Sequence, residues 1–274
     1  MPETAGYWAH GDAYEQYMGR WSRLVAERFV RELGAGHGLR WLDVGCGTGA
    51  LSSVVLDTRG PVSLVGVDPS EGFLDTARAR FADAMGLARF ERADAAALPL
   101  PDASVDVVVS GLVLTFVPSP EEALAEFTRV AAPGGTVAGY VWDYADGMPL
   151  MSTFWNAAVA LDPAADALDQ SVRFTRWRPD FLHALWAAAP RMDAASVAVF
   201  PIEVDAVFTD FDDYWTPFLG GQGPAPAYAM SLDAADRETL RLRVRAALPT
   251  AADGSITLRL RAWSVLGRTV GASS

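Results

Sequence analysis

A chain of 274 residues, 51% hydrophobic and 20% charged, is long enough to bury a sizeable core and has an ordinary globular composition. Its formal net charge is −12 and all 22 of its basic residues are arginine, which excludes lysine Schiff-base chemistry and disfavours nucleic acid as a partner. Cys46 is the only cysteine, which excludes an internal disulfide and a thiolate cluster, and with three histidines besides no metal site is expected.

Taken in chain order, the first 38 residues read as helical, with the amphipathic stretch SRLVAERFVREL from Ser22. The opening segment has no basic stretch followed by an apolar core, and no run approaches the roughly 20 apolar residues of a membrane helix, so a cytoplasmic protein that avoids the membrane is expected. Short, largely β-branched runs predict strands at Leu39–Val44, Val62–Val67, Ala88–Arg92, Val105–Ser110 and Thr136–Trp142. Helical patterns alternate with them in GALSSVVLD, SEGFLDTARARFADAM and SPEEALAEFTRVA, with Ser70 and Ser119 placed as N-caps of the last two. Strands alternating with helices predict a doubly wound α/β fold with a mainly parallel sheet, whose ligands bind beyond the carboxyl ends of the strands.

After Trp142 the rhythm changes, and aromatics accumulate from Phe154 to Phe218. His183 falls on a helical pattern beside Leu182 and Trp186, where a packed histidine is expected. The stretch DDYWTPFLGGQGPAP predicts a loop, because its glycines and prolines interrupt a helix. The arginines of RETLRLRVRAAL spread around a helix and read as a solvated face. Two later strands are expected at Ser196–Val204 and Ser255–Trp263, the second as an edge or half-exposed strand.

The chemistry concentrates in WLDVGCGTGA, Trp41 to Ala50. Gly45, Gly47 and Ala50 satisfy the G-x-G-x-x-A pattern of dinucleotide-binding turns, with Asp68 about 20 residues on as a ribose-binding acid. Asp43, Gly45, Gly47 and Gly49 equally form D-x-G-x-G-x-G, so the turn alone admits two cofactors.

The second pattern resembles class I S-adenosylmethionine-dependent methyltransferases of the ubiquinone/menaquinone-biosynthesis-like branch. GVDPSEGFLDTARAR, RADAAALPLPDASVDVVVSGLVLTFV and RVAAPGGTVAGYVWD look like successive segments of that family, in order. The resemblance implies a Rossmann-like, seven-stranded sheet, mostly parallel with an antiparallel last strand, carrying helical and aromatic cap elements. It also implies S-adenosyl-L-methionine as cofactor and S-adenosyl-L-homocysteine as product. On this reading 1–274 is one domain, with a lid at 1–38, a cofactor-binding core at 39–143, and cap elements with the last two strands at 144–274. Asp43 then holds the ammonium end, Gly45, Cys46, Gly47 and Gly49 form the close-approach turn, and Asp68 accepts the ribose hydroxyls. Pro69 flanks the adenine, while Asp94 and the Ala95 amide meet its edge. Ser110 and Leu112 lie along the methionine arm, whose carboxylate Arg20 is placed to pair.

For the acceptor, the resemblance puts Leu114 and Phe116 near the methyl, with Tyr14, Tyr17, Trp142 and Phe218 completing an aromatic pocket. The family often carries a histidine-rich stretch after the fourth strand and this chain does not, leaving Asp143, Tyr144 and His183 as candidate catalytic groups. The function expected is methyl transfer to a small, partly apolar O-, C- or N-acceptor, governed mainly by positioning, by a monomer or homodimer. Nonmethylating use of the same cofactor, a cofactor-sensing module and a nicotinamide-dependent oxidoreductase are the alternatives.

Overall fold

A computed structural model describes residues 19–84, 86–220 and 223–271. Seven strands form one sheet in the order β3-β2-β1-β4-β5-β7-β6. They are β1 (Arg40–Val44), β2 (Ser63–Asp68), β3 (Ala88–Arg92), β4 (Val105–Gly111), β5 (Ala131–Trp142), β6 (Met192–Phe208) and β7 (Ile256–Thr269). The first five pair in parallel. β1, β2 and β4 are apolar almost throughout because both of their faces are covered, as parallel strands under helices require. Strand order reverses between β1 and β4, so the carboxyl ends of those neighbours flank the crevice where such sheets bind ligands.

β7 runs against the others. Thr269, at its end, donates from Oγ1 to the Ala132 carbonyl near the start of β5, whereas the Asp143 amide just past the end of β5 donates to Arg261. β7 is therefore interior, not an edge, although its alternating burial is that of a half-exposed strand; the edge is β6.

Between the strands lie α1 (Arg20–Glu32), α2 (Ala50–Arg59), α3 (Glu71–Arg80) and α4 (Pro120–Val130). Ser70 caps α3, its Oγ accepting from the Phe73 amide; Ser119 occupies the same position before α4 without a side-chain cap bond, and Pro120 starts that helix instead. Later come α5 (Pro149–Leu161), α6 (Gln170–Arg173), α7 (Pro179–Ala187), α8 (Phe211–Trp215), α9 (Pro224–Ser231) and α10 (Ala234–Ala247). The expected loop at DDYWTPFLGGQGPAP is thus mostly helical among its described residues. Pro217 and Pro224 open a 3-10 turn and α9, a first-turn position where the missing N–H costs nothing.

The chain divides into two compact units. One comprises Ser22–Val141, Trp177–Ile202 and Trp263–Ser274, and its core is the parallel sheet with its helices. Phe29 of α1 lies against Tyr140 of β5, and Trp186 of α7 donates its indole N–H to the Val137 carbonyl. The other comprises Met1–Trp21, Trp142–Arg176 and Glu203–Ala262. Its core is aromatic: Phe218 stacks on Phe154 with centroids 4.7 Å apart, Trp155 meets Phe154 edge-on, and Tyr214 donates to the Leu150 carbonyl.

Candidate functional site

β1 ends in Asp43–Val44, and the chain then turns through Gly45, Cys46, Gly47, Thr48 and Gly49 into α2. The turn is pinned from behind on both sides. The amides of Gly45 and Cys46 donate to the Val67 carbonyl of β2 (2.7 and 3.0 Å), and Ser110 of β4 donates its hydroxyl to the Val44 carbonyl at 2.8 Å. Ser110 is fully buried in this role, so it shapes the turn from the strand side.

Two carboxyls from adjacent strand tips face this turn. Asp43 is 1% exposed; its Oδ2 accepts from the Ser52 hydroxyl of α2 at 2.7 Å, while its Oδ1 has no hydrogen-bond partner among the described residues. Burial, helped by the nearby Asp68 carboxylate and opposed by the Ser52 hydrogen bond, pushes this carboxyl up to about 7. Asp68 uses one oxygen to accept from the Gly47 amide at 3.0 Å and the other to accept from Ser70 at 2.8 Å. Burial raises it too, while the Ser70 and Gly47 amides hold it down. Neither acid forms an ion pair with an arginine among the described residues, so the site has buried acid without a cation of its own.

Gly47 has φ +54°, and a Cβ there would meet nothing within 4 Å, so backbone is presented to open space. Cys46 is buried, and burial together with both acids drives its thiol well above the ordinary range, which makes it a small packing group instead of a nucleophile. The fit to a nucleoside with a cationic amino-acid arm is direct: an orphaned carboxyl oxygen awaits a donor, and bare backbone allows close approach. A dinucleotide pyrophosphate would instead set its negative charge against two acids.

The neighbouring loop carries Asp94, which is exposed, with Oδ1 accepting from Ala96; Ala95 is half-buried and Pro69, after β2, is exposed. Two residues that sequence reading missed fasten this loop. Glu126 accepts from the Leu98 amide, and Arg129 donates to the carbonyls of Leu98 and Leu100 and pairs with Asp102 at 2.7 Å. Their Glu and Arg, three apart on α4, were the available signal, and Ser52, one turn into α2, was missed likewise. Leu112 follows β4 in the left-handed region at φ +61° and donates its amide to Tyr140.

Several expected residues stand elsewhere. Arg20 is committed to Asp213 at 3.0 Å and stacks over Trp21 and Phe208, a surface pairing in place of the expected cofactor contact. Asp143 is a turn residue: it is 2% exposed, its Oδ2 is ion-paired with the Arg261 guanidinium at 2.7 Å and its Oδ1 accepts from the Asp146 amide, so it is buried in a structural pair. Phe218 and Trp142 are buried at 1% and 4% exposure, and Phe218 is packed in the aromatic core against Phe154. Leu114 is fully buried, while Phe116 is exposed at 38%. Tyr144 lies against Phe174. His183 is on α7 as expected but exposed, because Leu182, Leu185 and Trp186 form the packed side of that helix. Tyr14 and Tyr17 lie outside the described residues.

Comparison with known proteins bears on the same segment. Residues 42–139 match the model of the methyltransferase domain family. The demethylmenaquinone methyltransferase of Renibacterium salmoninarum is 40% identical over 116 residues, 42% of this chain and 45% of that protein. The matches span 40 to 48% of the curated relatives' own lengths. Among solved structures, the YcgJ protein of Bacillus subtilis is similar with TM-score 0.56 at 17% identity, covering 91% of this chain and 99% of that one. A Haemonchus contortus phosphoethanolamine N-methyltransferase, solved with phosphomonomethylethanolamine and S-adenosylhomocysteine, is similar with TM-score 0.57 at 16% identity, covering 95% and 57%. The strand order and the acid at the tip of β1 agree with the match of residues 42–139 to the methyltransferase domain family.

Proposed function

We propose that this chain binds S-adenosylmethionine at the β1–α2 turn and methylates a small, partly apolar acceptor. One observation carries the reading: Asp43, four residues before the open backbone of Gly47, is a buried carboxyl with one oxygen lacking a hydrogen-bond partner among the described residues, a group that a cationic ligand would satisfy. When bound, the cofactor supplies an activated methyl group. Asp43 takes its ammonium end. Each oxygen of Asp68 already accepts one amide and keeps a lone pair, so the two together suit the two ribose hydroxyls. Asp94 and the Ala95 amide meet the adenine edge, and Pro69 covers its face.

The acceptor belongs to a different part of the argument, because the family match ends at residue 139. Relatives named for demethylmenaquinone and a structural neighbour holding phosphomonomethylethanolamine show that this fold serves unlike acceptors. A small molecule is supported by the net charge of −12, which opposes nucleic acid, and cytoplasmic action fits the lack, among the described residues, of a helix long and apolar enough to cross a membrane. With Asp143 held by Arg261, positioning supplies the catalysis on this reading, and the acceptor brings its own nucleophile.

Titration calorimetry with S-adenosylmethionine and S-adenosylhomocysteine, against a nicotinamide dinucleotide, tests the reading. Both sulfur nucleosides should release heat, and Asp68→Ala should weaken them about 100-fold through two lost charge-assisted hydrogen bonds. Heat from the dinucleotide alone would refute it.

A further inference from the structure

The three glycines of the turn have different surroundings. A Cβ on Gly45 would lie 2.5 to 2.8 Å from three side-chain atoms of Val113, in the loop after β4. A Cβ on Gly49 would collide with the ring of Phe81, which follows α3 and stacks on Phe90 of β3 at 5.2 Å. Gly47, between them, meets nothing. Two apolar side chains from separate elements therefore occupy the places of the missing Cβ atoms on the outer glycines, and only the middle one is bare.

The Val113 side is braced at some cost. Leu112, immediately before it, is one of three non-glycine residues with positive φ among those described, and its amide is tied to the Tyr140 carbonyl of β5 at 2.8 Å. Val113 in turn accepts from the Phe116 amide, which closes the short 3-10 turn at Leu114–Phe116. A strained backbone held by hydrogen bonds on both sides of Val113 aims its methyl groups at Gly45.

We propose that Val113 and Phe81 are positioning residues for the cofactor turn, wedges that fix Gly45 and Gly49 so that the Gly47 backbone is held ready for the ligand. Each wedge acts through the glycine it covers. The inference rests on the reading of this turn as the S-adenosylmethionine site. All three glycines take positive φ (+72°, +54° and +86°), which disfavours a side chain at each; beyond that, the wedges fill the Cβ places of Gly45 and Gly49, and only at Gly47 is that space left for the ligand.

The test measures S-adenosylhomocysteine affinity by calorimetry well below each variant's melting temperature, with circular dichroism confirming the fold. Val113→Ala and Phe81→Ala should each weaken binding about tenfold, while Val113→Thr, which keeps the branched shape, should stay within about twofold of the parent. A loss of global stability alone leaves the affinity of the folded protein unchanged, so this pattern separates positioning from packing. Phe81→Leu, a milder change, carries the same test should the alanine variants not fold: it too must weaken binding. Gly47→Ala should lose affinity while melting closer to the parent than Gly45→Ala does. Native affinity in folded Val113→Ala and Phe81→Ala, or in Phe81→Leu, overturns the wedge assignment. Failure of the unaltered protein to bind any sulfur nucleoside overturns the cofactor reading instead.

Discussion

Asp43 must hold charge where water does not reach, and its behaviour with pH follows. Its carboxyl stands at about 7 in the folded chain, above the ordinary carboxylate range, so the stability it contributes to the ligand-free protein is present in acid and lost as pH rises through about 7. Asp43→Asn, which cannot ionise, should therefore melt higher than the parent at pH 8 and show no such advantage near pH 4. On the proposed reading binding has the opposite sign, because the ammonium end of the ligand favours the ionised acid. Calorimetry from pH 8 down to pH 6 should show S-adenosylhomocysteine affinity falling below about 7 by up to about tenfold per unit, with Asp43→Asn nearly flat. The groups that bear on this titration are Asp68 from the tip of β2 and the Ser52 hydroxyl and amide of α2. At this scale the motif was legible: acids and glycines adjacent in sequence remain adjacent in space. Val113 and Phe81 were not, because each reaches the turn from an element distant in sequence, and Ser52, three residues past Gly49, was missed because a serine inside a helix carries no mark of its acceptor.

Among the elements, the Asp143–Arg261 pair decides between a catalytic and a structural carboxyl. Asp143 is 2% exposed, Gly147 donates its amide back to it, and a Cβ on Gly147 would press on both partners. Asp143→Asn removes a charge-assisted hydrogen bond from a partly exposed Arg261, so it should destabilise by roughly 2 kcal/mol in denaturant titration. Once folded, it should retain turnover within a few fold; a loss of the 10²–10⁴ typical of a missing general base would restore Asp143 to the chemistry. Element type was readable wherever the apolar period was sustained, and β3 matches its expected bounds, Ala88–Arg92. β5 starts at Ala131, earlier than the expected Thr136, because Pro133, Gly134 and Gly135 bulge out of a continuing strand: Val105 pairs with Ala131 but Val107 with Thr136. Proline and glycine look like an ending when the neighbouring strand that carries the pairing across the gap is not in view. The aromatic run from Phe154 to Phe218 misled in the other direction. Phe154 and Phe218, 2° from coplanar, satisfy each other as core, and a sequence does not distinguish rings that line a pocket from rings that fill a unit.

For the molecule as a whole, the sheet's order carries the strongest constraint. β7 lies between β5 and β6, so without it β6 loses its neighbour in the sheet and one side of β5 is bared. Deleting residues 256–274 should yield aggregated protein by size-exclusion chromatography, whereas shortening the chain only to Val270 should leave a monodisperse species, since Thr269 still reaches the Ala132 carbonyl. A soluble, monodisperse product of the longer deletion would contradict the central place of β7. The overall plan was legible from the alternation of strands and helices and the antiparallel last strand from the family resemblance, but the interior place of β7 was not, since its alternating arginines suggested an edge.

The same insertion sets a timetable for a newborn chain. Because translation proceeds from the amino end, β6 leaves the ribosome roughly 50 residues before the segment that must slot in beside it. At the 5 to 20 residues per second typical of synthesis, that is a wait of about 3 to 10 seconds with a bare ladder of amides and carbonyls. Pro201 sits within that stretch and cannot donate to a stray strand, a safeguard for the interval before the sheet is complete.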